Sequence, residues 1–100
     1  MVKHIVLISF KDNVSNDSIE RVMRLFNKVT DSIDGVVGFE QGRSISSGDK
    51  KCNYSHCVIL TLRSNLARDV YLTHIELHNL KARLLPLVSV IEVIDFELFL

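Results

Sequence analysis

Residues 2–11, VKHIVLISFK, form a short run rich in β-branched side chains, which predicts a strand. Alternation puts His4, Val6, Ile8 and Phe10 on one face and Lys3, Ile5, Leu7 and Ser9 on the other. Both faces are mostly apolar, as expected of a strand covered on two sides rather than one. A polar connection over residues 12–16 follows. Ile19, Val22, Met23, Phe26, Val29 and Ile33 then recur every three or four positions, opposite Glu20, Arg21, Arg24, Asn27, Lys28 and Asp31. That spacing predicts an amphipathic helix of about four turns, capped by Ser15 or Asp17 and ended by Gly35.

Residues 36–45 (VVGFEQGRSI) read as a second strand, loosened by Gly38 and Gly42, and residues 46–53 (SSGDKKCN) as a polar loop. A third strand is expected over residues 54–63. It carries His56, Val58, Leu60 and Leu62 on one face and Cys57, Ile59, Thr61 and Arg63 on the other. After a cap at Ser64 or Asn65, Leu66, Val70, His74 and Leu77 make a helical stripe that Leu80, Leu84 and Leu85 continue. Residues 66–85 are read as one helix or as two with a break near His74. The last strand lies within residues 87–100, with Ile91, Val93, Asp95 and Glu97 alternating against Glu92, Ile94, Phe96 and Leu98.

Strand, helix, two strands, helix, strand is the order of a ferredoxin-like α+β fold, β-α-β-β-α-β, with both helices on one face of a four-stranded antiparallel sheet. The face with His4, Val6, Ile8, Val58 and Leu60 should meet the helices. Ile5, Leu7, Ile59, Ile94, Phe96 and Leu98 then occupy a face with nothing in the chain to cover it. Each such side chain is worth about 1.5–3 kcal/mol once buried. A patch of that size is unusual on a soluble monomer, so a twofold homodimer through the sheet face is expected.

Composition narrows the picture further. The chain has 100 residues, enough for one domain over residues 1–100, with 47% hydrophobic and 24% charged residues. Twelve basic and twelve acidic residues cancel, with no basic block, so neither nucleic acid nor an anionic membrane is the expected partner. No apolar run approaches the roughly 18 residues of a membrane span, and the apolar part of the first strand is too short for a signal peptide. Cys52 and Cys57 do not make a disulfide scaffold; reduced thiols and a cytoplasmic location are the expectation.

Several segments together carry a family resemblance: MVKHIVLISFKD, GVVGFEQGRSIS, YSHCVILTL, YLTH and LLPLVSVIEVIDFEL. In order and spacing, over nearly the whole chain, they resemble the stress-responsive A/B barrel (Dabb) family. The resemblance implies a ferredoxin-like protomer paired sheet to sheet into a dimeric α+β barrel, with a ligand cavity between sheet and helices. The family includes plant stress-induced proteins, bacterial proteins without assigned activity and a few plant polyketide cyclases. In the cyclases, histidines early in the first strand and opening the third, a tyrosine and histidines on the second helix, and an aspartate on the last strand line the cavity. Those positions match His4, His56, Tyr71, His74 and Asp95. The family's helical histidine, proline, any residue, histidine reads HIEL here, with Ile75 for the proline and Leu77 for the second histidine. His78 lies one position later, rotated by about 100° around a helix.

The implied cavity would be lined by Val6, Ile8, Met23, Phe26, Val58, Leu60, Val70 and Val93, although the Met23 and Phe26 stripe reads first as plain core packing. His4, His56 and Asp95 are expected to point into one cavity, where an imidazole beside a carboxylate is a proton-transfer pair and Tyr71 can orient a carbonyl or phenol. The same histidines also read as hydrogen-bonded core residues that fix the barrel. His74 and His78 flank Glu76, but the metalloprotease order of histidine then glutamate is not met, so neither metal nor cofactor is expected. Two functions remain: a small binding protein for an apolar or aromatic molecule, and a cyclase-, isomerase- or lyase-like enzyme acting on an enol-capable carbonyl substrate.

Overall fold

A computed structural model describes residues 1–46 and 53–99. Most of the expected polar loop, with Cys52, lies outside the described residues. The elements are β1 (Val2–Phe10), α1 (Asn16–Asp31), β2 (Val36–Arg43), β3 (His56–Leu62), α2 (Asn65–Leu72), α3 (Ile75–Leu84) and β4 (Val88–Glu97), with a 3-10 turn at Leu85–Leu87 before β4. The sheet is four-stranded and antiparallel throughout, in the order β2-β3-β1-β4. β1 and β2 run parallel with β3 between them, and β3 and β4 run parallel with β1 between them. Two interleaved split β-α-β units of this kind define the ferredoxin-like fold.

β1 is the strand on which the sheet is registered. His4, Ile5 and Val6 face Leu60, Ile59 and Val58 on one side and Asp95, Ile94 and Val93 on the other. Burial alternates strictly along it: Val2, His4, Val6, Ile8 and Phe10 are buried, while Lys3, Ile5, Leu7 and Ser9 are only half-buried. The buried set joins Val58, Leu60 and Leu62 from β3, Val22, Met23, Phe26 and Val29 from α1, and Leu77, Leu80 and Leu84 from α3 in one core. No helix among the described residues covers the other face. Ile5, Leu7, Ile59 and Ile94 are half-buried there by strand neighbours alone, and Val90 and Phe96 are 49% and 54% exposed.

Local chemistry explains the helix limits. Ser15, not Asp17, caps α1, its Oγ accepting from the Ser18 N–H at 3.1 Å. Ser64 caps α2 in the same way through the Ala67 N–H at 3.1 Å. Gly35 after α1 has φ +93°, a conformation that L side chains rarely adopt, and a Cβ there would stand 2.8 Å from the Ala67 Cβ. This glycine therefore lets α2 sit down against the start of β2, which fixes the height of Arg68 and Tyr71 above the sheet.

The second helical region is two helices. α2 ends at Leu72, and His74 starts α3 as its N-cap, its Nδ1 accepting from the Glu76 N–H at 3.1 Å. The break corrects the expected stripe. That stripe runs through Leu66, Val70, His74 and Leu77, but Leu66 and Val70 are 73% and 48% exposed. Tyr71 is the buried residue of α2, only 1% exposed.

Candidate functional site

His4 and Asp95 meet because antiparallel pairing sets them opposite each other on neighbouring strands, with side chains on the same face. His4 Nδ1 lies 2.5 Å from Asp95 Oδ1. The carboxylate fixes the imidazole tautomer with the hydrogen on Nδ1 and leaves Nε2 as the basic nitrogen. The second Asp95 oxygen accepts from Arg68 Nη2 at 2.8 Å. Arg68 reaches it from α2, one helical turn before Tyr71, whose ring meets the His4 ring edge-on at 5.4 Å between centroids.

These groups share one cavity of about 360 Å³ between the inner face of β1 and β4 and the α2–α3 pair. Val6, Phe26, Leu77, Leu80 and Val93 supply apolar wall, and Lys81 lies on the rim. Ile91 and Val93, on the helix side of β4, are 38% and 49% exposed, so the helices leave this edge of the sheet uncovered. The opening runs along that edge.

The electrostatics follow from the contacts. Burial alone would raise the Asp95 pKa, but hydrogen bonds from Arg68 and then His4, with their charges, outweigh it and hold the carboxyl below its ordinary range. A depressed carboxyl stabilises the fold above the unfolded value of about 4, and that contribution is lost as pH falls through the lower folded value. Asp95→Asn is therefore expected to flatten the acid limb of stability against pH below about 4, read from urea midpoints at a series of pH values. An acid limb identical to wild type would show that Asp95 is not held in its charged form. Burial drives the Tyr71 hydroxyl the other way, raising its pKa so that the phenol keeps its proton. No hydrogen bond reaches that hydroxyl among the described residues.

The other sequence-derived positions divide clearly. Val6, Phe26 and Val93 line the cavity with His4, Tyr71 and Asp95. Ile8, Val58 and Leu60 are on the same face but fully sealed in the core, and Met23 packs with them further along α1. Val70 points to solvent, and His74 is spent on the α3 cap. His56 is not in the cavity, contrary to expectation. It pairs with Ile8, four residues along β1 from His4 and so roughly 13 Å away, because the start of one antiparallel strand meets the end of its neighbour. There it contacts Ser55 Oγ at 2.7 Å and the Phe10 ring, and burial, then the Arg43 charge, lowers its pKa. Leu77, at the place of the family's second helical histidine, is buried against the cavity, while His78 is exposed. The sequence pattern marks neither Arg68 nor Lys81 as a wall residue, Lys81 reading only as a charge suited to the end of its helix. The signal for Arg68 was its position three residues before Tyr71.

The four-stranded sheet with helices on one face makes this a ferredoxin-like α+β protein. The chain belongs to the stress-responsive A/B barrel domain family, whose model matches residues 2–98. It is similar to the stress-response A/B barrel domain-containing protein HS1 of Arabidopsis thaliana, with 32% identity over 73 residues, 73% of this chain and 67% of that protein. Among solved structures it resembles an Arabidopsis thaliana protein at 27% identity and TM-score 0.91, covering 99% of this chain and 96% of the other. A dimeric ferredoxin-like protein of unknown function from Thermobifida fusca matches at 22% identity and TM-score 0.83, over 97% and 90% of the two chains. The hydroxynitrile lyase of Passiflora edulis shares the fold at 14% identity and TM-score 0.86, over 95% and 90%. No helix among the described residues is long and apolar enough to cross a membrane.

Proposed function

We propose that the chain works as a sheet-to-sheet homodimer in which each protomer's cavity holds a small apolar or aromatic molecule. The cavity beside His4 carries this reading. Its volume of about 360 Å³ lies in the range of small-molecule sites, and it has the usual make-up of such sites, apolar walls with a few convergent polar groups. The uncovered outer face supports the dimer, and the dimeric neighbour of the same fold agrees with it. A cytoplasmic setting fits the free Cys57 thiol.

Val93→Trp tests the cavity directly. Val93 stands half-exposed at the mouth, so a larger ring fills the opening without entering the sealed core. In a thermal-shift screen of aromatic fragments, the wild type is expected to gain melting temperature with a subset of them. The Val93→Trp variant, melting alone near the wild-type temperature, should lose every such gain. Equal gains in both proteins would remove the cavity as the binding site.

The pairing of His4 with Asp95 favours a second reading, proton transfer on an enol-capable carbonyl compound of the cyclase, isomerase or lyase type. Nε2 of His4 is the base, Asp95 steadies the charge it acquires, and the protonated Tyr71 phenol donates to the carbonyl oxygen. Leu77 leaves the cavity without a second helical imidazole, so His4 would both take and return the proton. Deuterium uptake at the acidic carbon of a bound ketone, followed by NMR, should then vanish in His4→Gln. Uptake that persists in this variant would end the second reading.

A further inference from the structure

Side by side on the sheet, α1 and α3 leave an open groove of about 530 Å³ between them. Ser18, Arg21, Leu25 and Lys28 recur at three- and four-residue steps along α1, so they form one stripe, and that stripe lines one wall. Arg83 of α3 and Leu87, in the turn before β4, lie across from it. No residue of this groove lines the cavity beside His4. The helices cover the sheet face opposite the uncovered outer row, so pairing of the sheets leaves the groove open.

The charges along the groove are all of one sign. Arg21, Arg24, Lys28 and Arg83 line it, and no carboxylate does. Arg24 meets Glu20 at 3.8 Å, a long and exposed contact, while Arg21, Lys28 and Arg83 form no ion pair among the described residues. The chain as a whole has no formal net charge, so this is a local segregation of cations. Lys28 and Arg83 each sit in the last turn of a helix, where a cation suits the dipole. That does not account for Arg21 and Arg24 in the body of α1, nor for all of them bordering one depression. Its floor is apolar: Leu25 and Leu87 are half-buried against the core, with Val22 buried beside them.

A small inorganic anion would answer part of this charge and leave Leu25 and Leu87 wet. A nucleic acid brings phosphates but nothing apolar for the floor, and an anionic membrane is flat where this surface is recessed. We infer that the α1–α3 groove docks an acidic amphipathic helix of a partner protein, its apolar stripe on Leu25 and Leu87 and its carboxylates toward Arg21, Lys28 and Arg83. Two neighbouring helices form the trough into which the ridge of a third packs. Arg21 and Lys28 stand about 10.5 Å apart along α1, two helical turns, so carboxylates two turns apart on the docked helix reach both.

The test uses three fluorescein-labelled helical peptides, read by fluorescence anisotropy at neutral pH and low salt. The first has leucines at every third or fourth position flanked by glutamates; the second exchanges its glutamates for glutamines, and the third its leucines for alanines. The first is expected to bind at least about tenfold tighter than either of the others. That affinity should fall at least about tenfold in the variant carrying Arg21→Glu and Arg83→Glu together, and in Lys28→Glu. These side chains are exposed, so both variants should melt near the wild-type temperature. Arg63→Glu, a reversal outside the groove, should change the affinity by no more than about twofold. Equal binding of the first and second peptides, or of the first and third, overturns the inference, as does binding of none. An affinity untouched by the groove variants puts the peptide elsewhere and overturns it too. Tighter binding of a single-stranded oligonucleotide or of phosphatidylserine vesicles than of the first peptide overturns the choice of partner.

Discussion

Ile94→Glu is expected to turn the proposed sheet-to-sheet dimer into a folded monomer at micromolar concentration, seen as a halved mass in sedimentation velocity. Ile94 lies opposite Ile5 on the helix-free side of the sheet, on the edge strand of a patch that includes Leu7, Ile59 and Phe96. Each of these side chains contributes about 1.5–3 kcal/mol when fully covered, and several are half covered already, so dimerisation gains part of that from each. A carboxylate within the patch reverses the balance, because an unpaired charge buried between two apolar sheets costs several kcal/mol per copy. In the monomer the same glutamate faces water and the inner core is untouched, so the fold should survive. An Ile94→Glu protein that remains a dimer would mean that the subunits pair through another surface.

The second large effect concerns Tyr71. Its ring is 1% exposed and closes the core against His4, so Tyr71→Ala should lower stability by about 3–5 kcal/mol, measured from urea or guanidinium midpoints. Tyr71→Phe should cost less than about 1 kcal/mol, because the hydroxyl leaves behind no intramolecular partner. The contrast separates two contributions that a single alanine variant confuses: the ring holds α2 on the sheet, and the hydroxyl has no hydrogen bond among the described residues. If Tyr71→Phe proved as damaging as Tyr71→Ala, the hydroxyl would have to be part of the core's own bonding.

Much of this architecture is legible in the chain because β1 and α1 follow simple periods. The alternation through His4, Val6 and Ile8 identifies the helix-facing side, and the spacing from Val22 to Val29 identifies the helix that covers it. The apolar outer row follows from the same alternation, and the structure leaves that row without a helix over it among the described residues. The pairing of His4 with Asp95 is legible only through family resemblance, since sequence alone does not fix the register of strands 91 positions apart.

What the sequence hides has equally concrete causes. His56 looks like a partner of His4 because both open their strands, yet antiparallel strands that pair start at opposite ends. The break at Thr73 and His74 shifts the phase of α2, so Val70 is mistaken for a wall residue and Arg68 is passed over. An arginine on an amphipathic helix reads as solvated surface until the carboxylate it meets is located, and that carboxylate is on the last strand. Lys81 is unremarkable for the same reason. Its place in the cavity wall exists only once α2, α3 and β4 surround one cavity.

In the proposed function a small molecule occupies the space between His4, Tyr71 and Asp95. Amide chemical-shift mapping of the labelled protein, titrated with an aromatic fragment that raises its melting temperature, tests it most directly. The largest changes are expected at His4, from Arg68 to Leu72, from Leu77 to Lys81, and from Val93 to Asp95. Changes gathered instead around Arg43, Ser55 and His56, or scattered over the outer sheet face, would contradict it.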